Sequence, residues 1–325
     1  MLISNKSNQA MFFGISIAVI YGLFVRLTFG AQSLEDVLGG LVTITFIFFV
    51  PMILGIITMA FMPRRYKLSW PHCIFLPWIS FFLVAGIVLA FAFEALICVM
   101  MAAPIYLPLA SAGGIIVGAM TRRRARQVTH MSLAILLLIP YFTAALETQL
   151  PSPTIIRTVE SQIVINAPAK VVWPHITSVP EIQPFEHHLA AFYLVGVPKP
   201  VQAMLPEDGI GAVRISNYQD GLRFEEVITE WQPQQGYKFT IGLDPHTTPP
   251  RPWNNIGGSH FGLLDGVYKI EPLDDNRIIL HLSSRHRLQT KLNLYGGIWT
   301  DFILRDIQNY ILTVIKGRAE AEMGF

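Results

Sequence analysis

The chain is short of charge: 14% of its 325 residues are Asp, Glu, Lys or Arg, against roughly 25% in an average soluble protein. With 52% hydrophobic residues and a mean hydropathy of +0.45, that shortage excludes a disordered chain, a basic nucleic-acid-binding protein and an enzyme soluble throughout. Cysteine is scarce as well. Cys73 and Cys98 are the only two, too few for a disulfide framework or a cysteine-rich zinc module. There is no glycine-rich phosphate loop, no Gly-x-Ser-x-Gly nucleophile turn and no His-Glu-x-x-His motif, so no cofactor is expected.

The charge that is present gathers in the second half. Residues 1–150 hold 9 Lys+Arg and 4 Asp+Glu, and the remainder 15 and 18, so the two halves carry +5 and −3. This predicts an all-α membrane domain over 1–150 and a water-soluble domain over 151–325. Pro151-Ser152-Pro153 forms the seam, because prolines stop a helix and stiffen a linker. A hydrocarbon core of about 30 Å takes roughly 20 apolar residues. Met11–Phe29, Val37–Met62 and Val128–Leu146 each suffice. The nearly uncharged run from Ile74 to Met120 would be about 70 Å long as one helix, so it must cross twice. Pro77 and Pro104 suit first helical turns, which predicts spans over Pro77–Met101 and Pro104–Met120 and a total of five. Glu94 then lies within a span, where a carboxylate costs roughly 2–3 kcal/mol and needs a partner. A chain reversal at Glu94 itself is the alternative.

Basic residues set the orientation. Lys6, the group Arg64, Arg65 and Lys67, and the group Arg122, Arg123, Arg124 and Arg126 fall on one side of five crossings; Ser33-Leu34-Glu35-Asp36 falls on the other. Only Arg26 dissents. The expectation is an integral protein of a bacterial inner membrane with a cytoplasmic N-terminus and an extracytoplasmic second half. The first apolar stretch is too long for a cleaved signal peptide, and Leu2 stands where myristoylation needs glycine.

Past the seam the hydrophobic period changes. Thr158–Ile165 reads as a strand, and Asn166 and Pro168 open a helix. Helical segments fit Lys170–Thr177 and Pro180–His188. Strands follow over Ala190–Val195, Gly211–Tyr218, Leu222–Trp231, Tyr237–Leu243, Phe261–Glu271 and Arg277–Ser284, split by turns such as Asp220-Gly221 and Asp274-Asp275-Asn276. Tight turns imply antiparallel neighbours. From Tyr295 to Ile315 apolar residues recur at helical spacing, with Trp299 and Phe302 on the apolar side and Asp301, Arg305, Gln308, Asn309 and Lys316 on the other. The order predicts an α+β domain in which a curved antiparallel sheet wraps a long C-terminal helix.

The quoted elements resemble the START-related helix-grip superfamily, which includes polyketide cyclase/dehydrase-like (SRPBCC), plant allergen-like and lipid-transfer domains. The resemblance rests on the opening Ile163-Val164-Ile165-Asn166-Ala167-Pro168-Ala169-Lys170-Val171-Val172-Trp173. It continues through Gly209-Ile210-Gly211-Ala212-Val213-Arg214 into Phe224–Trp231 and closes with Ile315-Lys316-Gly317-Arg318-Ala319-Glu320. It covers residues 155 to 320 and implies a fold rather than one activity. The first half resembles no family that its residues identify.

In such a fold the sheet and helix enclose a ligand cavity. Tyr237, Phe239 and Ile241, Leu264, Tyr268 and Ile270, and Ile278, Leu280 and Leu282 share apolar strand faces, with Trp299 and Phe302 opposite; a filled core is the plain alternative. His281 is the best single candidate for acid–base chemistry, provided its strand face looks inward rather than to solvent. Arg214 and Glu226 on neighbouring strands form a structural ion pair, or Arg214 holds a ligand anion. The histidines show no metal-ligand spacing. The segment from Thr248 to Gly258 reads as a lid or a plain connection. The expected function is membrane-tethered binding of a hydrophobic small molecule or lipid, without nucleic acid. The alternatives are a cyclase- or dehydratase-type enzyme on an aromatic or polyketide-like compound, as the resemblance implies, and a membrane interaction or scaffold protein.

Overall fold

The computed structural model describes residues 2–31, 33, 43–123, 130–247, 256–258 and 260–324, with side chains omitted for 2–7 and 130–133. The acidic segment 34–36, Arg124, Arg126 and the expected lid up to residue 255 lie outside that set. The chain forms two compact units, Met1–Ser152 and Pro153–Phe325.

The first unit is helical: α1 (Leu2–Phe29), a π-helical turn (Thr45–Phe49) leading into α2 (Val50–Ala60), α3 (Arg64–Leu68), α4 (Trp70–Ala90), α5 (Leu96–Arg122) and α6 (His130–Glu147). Among the described residues, three stretches are long and apolar enough to cross a membrane, Asn8–Phe29, Trp70–Ala90 and Leu96–Arg122, against the five expected. Thr45–Ala60 and Ala134–Glu147 are apolar but shorter. The helices meet through glycines. A Cβ on Gly55 would stand 1.9 Å from the Ala110 carbonyl oxygen, and one on Gly113 2.0 Å from that of Met52, so α2 and α5 pack backbone against backbone. Glu147 accepts the N–H groups of Ile44 and Thr45 at 2.7 and 2.9 Å, satisfying donors that a helix start leaves open.

The reversal between α4 and α5 corrects the boundaries expected from proline. Pro77 and Pro104 lie inside α4 and α5, and Pro71 occupies the first turn of α4. The chain turns back over residues 91–95, where Ala92 takes a positive φ of 51°. Glu94 is therefore in the turn, with Arg26 Nε 2.7 Å from its carboxylate, and Arg26 Nη2 donates to the Phe93 carbonyl at 2.6 Å. The pair supplies both the partner that Glu94 requires and the reason Arg26 departs from the charge pattern.

The second unit holds β1 (Thr154–Ile165), α7 (Ala169–Thr177), a 3₁₀ turn (Pro184–Glu186), the single-turn α8 (Ala191–Leu194), β2 (Pro200–Met204), β3 (Val213–Tyr218), β4 (Arg223–Gln232), β5 (Gly236–Leu243), β6 (Phe261–Asp274), β7 (Arg277–Gln289) and α9 (Asn293–Glu322). One antiparallel sheet runs in the order β1-β7-β6-β5-β4-β3-β2. It curls around α9, which packs on β1, β7, α7 and α8. This is the helix-grip arrangement. Two local expectations fail. The helix over Pro180–His188 shrinks to the 3₁₀ turn, and the strand over Ala190–Val195 is α8, with the edge strand ten residues later. Tertiary contacts override strand propensity there: Phe192 packs edge-on against Tyr310, and its N–H donates to Asp306 at 2.8 Å.

Candidate ligand site inside the curled sheet

Strand alternation sends every second side chain toward α9. On β7 those are Leu280, Leu282, Ser284 and His286, because Ser284 meets Gln308 at 3.0 Å and His286 meets Thr300 at 3.0 Å. Register then carries the same face across the sheet: Leu282 opposes Tyr268, which opposes Tyr237, which opposes Trp231. The result is an aromatic wall. Ring centroids lie 5.3 Å apart for Tyr237 and Tyr268, 6.1 Å for Phe239 and Tyr268, and 5.0 Å for Trp173 and Trp231. Phe239 lies across Gly266, where any Cβ would fall 2.5 Å from its ring.

A charged cluster sits at the β3–β4 end of this wall. Arg214 and Glu226 are register partners, both buried, and their side chains meet at 2.5 Å. Ser216 donates to the other Glu226 oxygen at 2.5 Å. Arg214 Nε donates to the Thr177 carbonyl at 2.9 Å, and the Tyr237 hydroxyl donates to that of Ile176 at 2.7 Å. These are carbonyls of the last turn of α7, which a helix leaves without partners and which attract positive charge. The cluster therefore closes a helix end inside the core, which is a structural role. Burial opposes the Arg214 charge, but Glu226 and then Tyr237 and Tyr268 alongside hold its pKa above the ordinary value. Burial also pushes the Tyr268 hydroxyl up to about 12 and that of Tyr237 well above its usual range, with Arg214 pulling the other way. The phenols thus stay protonated, and because the Tyr237 proton is given to the Ile176 carbonyl, that hydroxyl has only its acceptor side left to offer. Chemically, the wall sets apolar ring faces next to hydroxyls and a neutralised guanidinium.

A second polar group lies where α9 covers β1 and β7. Arg157 pairs with Asp301 through both Nε and Nη2, crossing α9 at Gly297, where a Cβ would meet the guanidinium at 3.0 Å. Arg157 holds the Asp301 carboxyl below its usual range. His286 is fully buried, and burial lowers its pKa, with Asp301 opposing. Gln308 Nε2 donates to the Val159 carbonyl at 3.1 Å.

Of the side chains expected at the site, Arg214, Tyr237, Phe239 and Tyr268 converge. His281 does not: it is on the convex face, between Glu160 at 3.4 Å and Glu271 at 3.3 Å, so it cannot act on an enclosed compound. Phe302 is 50% exposed, and Trp299 is half-buried against Tyr295. Conversely Asp301 and Gln308, expected on the outer side of α9, face the sheet. His286 was legible by parity, two and four positions beyond Ser284 and Leu282. The inward turn of Gln308 had no such signal.

No protein-family model matches the chain, and no curated protein matches it in sequence. Among solved structures, norcoclaurine synthase from Thalictrum flavum is similar at 10% identity, over 53% of this chain and 89% of that one, with a TM-score of 0.35. The ZhuI aromatase/cyclase from Streptomyces sp. R1128 is similar at 15% identity, over 52% and 96%, with a TM-score of 0.33. Ara h 8.0201 is similar at 14% identity, over 51% and 99%, with a TM-score of 0.32.

Proposed function

We propose that this protein holds a hydrophobic small molecule or lipid between the curled sheet and α9 of its second unit, while the first unit anchors it in a membrane. The observation that carries the reading is the concave wall of Tyr237, Phe239 and Tyr268, buried yet offering hydroxyls beside the Arg214–Glu226 pair. Apolar surface sheltered there gains about 25 cal/mol per Å². In the first unit, Arg122 stacks over Trp70 at 3.9 Å and points to the Leu68 carbonyl at 3.3 Å, which gathers the basic residues of α3 and α5 at one end. Arg26, neutralised by Glu94, is at the other. This polarity favours a cytoplasmic N-terminus and an extracytoplasmic second unit.

The test is native mass spectrometry of the full chain released from its membrane. The expected result is a co-purifying apolar adduct that Phe239→Ala with Tyr268→Ala depletes; an adduct-free chain that still binds no lipid or aromatic compound refutes the reading. A phosphatase reporter fused after Phe325 reads the topology separately. It should be active outside the cytoplasm, and cytoplasmic activity overturns the orientation. An enzymatic role draws no support from His281, and the only histidine facing the interior among the described strands, His286, lies beneath α9 with its pKa lowered by burial.

A further inference from the structure

The outer side of the first turns of α9 is apolar. Leu294, Ile298 and Phe302, spaced one turn apart, are 80%, 62% and 50% exposed. One turn on, Asp306 accepts the Phe192 N–H, which brings the short segment bearing Leu189 and Leu194, 79% and 56% exposed, alongside the same face. A water-soluble domain gains nothing by presenting such a stripe to water.

We infer that this face of α9 lies in the interface of the bilayer, its apolar side chains among lipid acyl chains next to anionic headgroups. Three observations select a lipid surface over a protein partner. First, Asn293 Nδ2 donates to the Pro153 carbonyl at 2.6 Å, so the stripe begins where the chain enters the second unit. Only residues 148–152 separate that point from the end of α6 at Glu147, a reach of at most about 22 Å. Second, the chemistry is that of interfacial helices: Tyr295 and Trp299 flank the aliphatic row, and Lys291 and Arg305 stand at its two ends. Third, Arg157 neutralises Asp301, so Lys291 and Arg305 outweigh the one remaining charge of Asp306, which also accepts the Phe192 N–H, and the net positive rim suits anionic headgroups. The inference rests on the first unit spanning the membrane. It adds that the second unit is not merely tethered but seated, so that an apolar ligand passes between bilayer and domain without crossing water.

The full chain with Cys73 and Cys98 replaced by serine is labelled with a fluorophore at Ile298→Cys, and separately at Asp275→Cys on the β6–β7 turn. It is reconstituted in vesicles of phosphatidylcholine with phosphatidylglycerol containing spin-labelled acyl chains. The label at 298 should be quenched at least twofold more than that at 275, and Arg305→Glu should reduce the difference. Equal quenching at both positions overturns the inference, as does a 298–298 crosslink between two chains or a crosslink from 298 to the segment at Trp253. An alkaline carbonate wash separates the two failures. A chain retained in the membrane without quenching at 298 refutes the seated face alone, and a released chain refutes the spanning unit.

Discussion

Replacing Glu226 with alanine tests whether the core of the second unit is built around a compensated charge. Arg214 is 3% exposed, and Glu226 is its ion-pair partner. The guanidinium cannot shed its proton, so Glu226→Ala strands a cation in the core and leaves Ser216 without its acceptor. Breaking a buried pair this way costs about 3–5 kcal/mol. For a unit of 173 residues (153 to 325), at roughly 2–4 °C per kcal/mol, that is a fall in Tm of about 6–20 °C. The reciprocal Arg214→Ala leaves the Glu226 carboxylate without its partner and the Thr177 carbonyl uncapped. The double variant Arg214→Met with Glu226→Leu removes both charges at similar volume and should lose less than Glu226→Ala. Urea unfolding followed by tryptophan fluorescence measures all three. Single variants that each lose under about 1 kcal/mol, and a double variant that loses more than either, would refute the reasoning.

Other outcomes follow from the same structure. His286 has a folded pKa below its unfolded value of about 6.5. The unfolded chain therefore binds the proton first, and stability present above that value drains away as pH falls below it; His286→Gln should flatten this slope between pH 7.5 and 5. Asp301, held low by Arg157, loses its contribution only as pH falls from its ordinary carboxylate range toward the depressed value, and Arg157→Ala should erase that acid limb. In the first unit, Gly55→Ala drives a methyl into the Ala110 carbonyl and should cost about 1–3 kcal/mol, read as a lowered aggregation temperature in detergent. Gly86→Ala, with nothing within 4 Å of its Cβ, should leave it unchanged.

Local chemistry carried much of the second unit. Period-two patterns placed β3 through β7 within a few residues, since turn signals such as Asp220-Gly221 bound them and a half-buried strand alternates whatever its neighbours. Parity likewise put Tyr237, Phe239 and Tyr268 on one face, and antiparallel order brought Arg214 beside Glu226. Which face turned inward was not local. The apolar run Ile278, Leu280 and Leu282 shares its parity with His286, and the packing of α9 on Ser284 and His286 made that side the inner one, which left His281 between two glutamates on the convex side.

The rotation of α9 is the clearest case of a property beyond the reach of periodicity. An apolar stripe predicts which side of a helix faces a core only when burial of that stripe is the sole contest. Here Arg157 draws Asp301 inward, and Gln308 bonds Val159 and Ser284, so polar groups occupy the interface while Ile298 and Phe302 face out. The turn between α4 and α5 repeats the lesson. Proline marks were tolerated within both helices, and the reversal formed where Arg26, nearly 70 residues upstream, could pair with Glu94. By itself the sequence determined the division into an apolar and a charged half, the apolar helical stretches, the strands β3 through β7 and the long closing helix, because each follows from neighbours along the chain. Tertiary structure alone decided which faces met, because those depend on partners brought together only once the chain has closed.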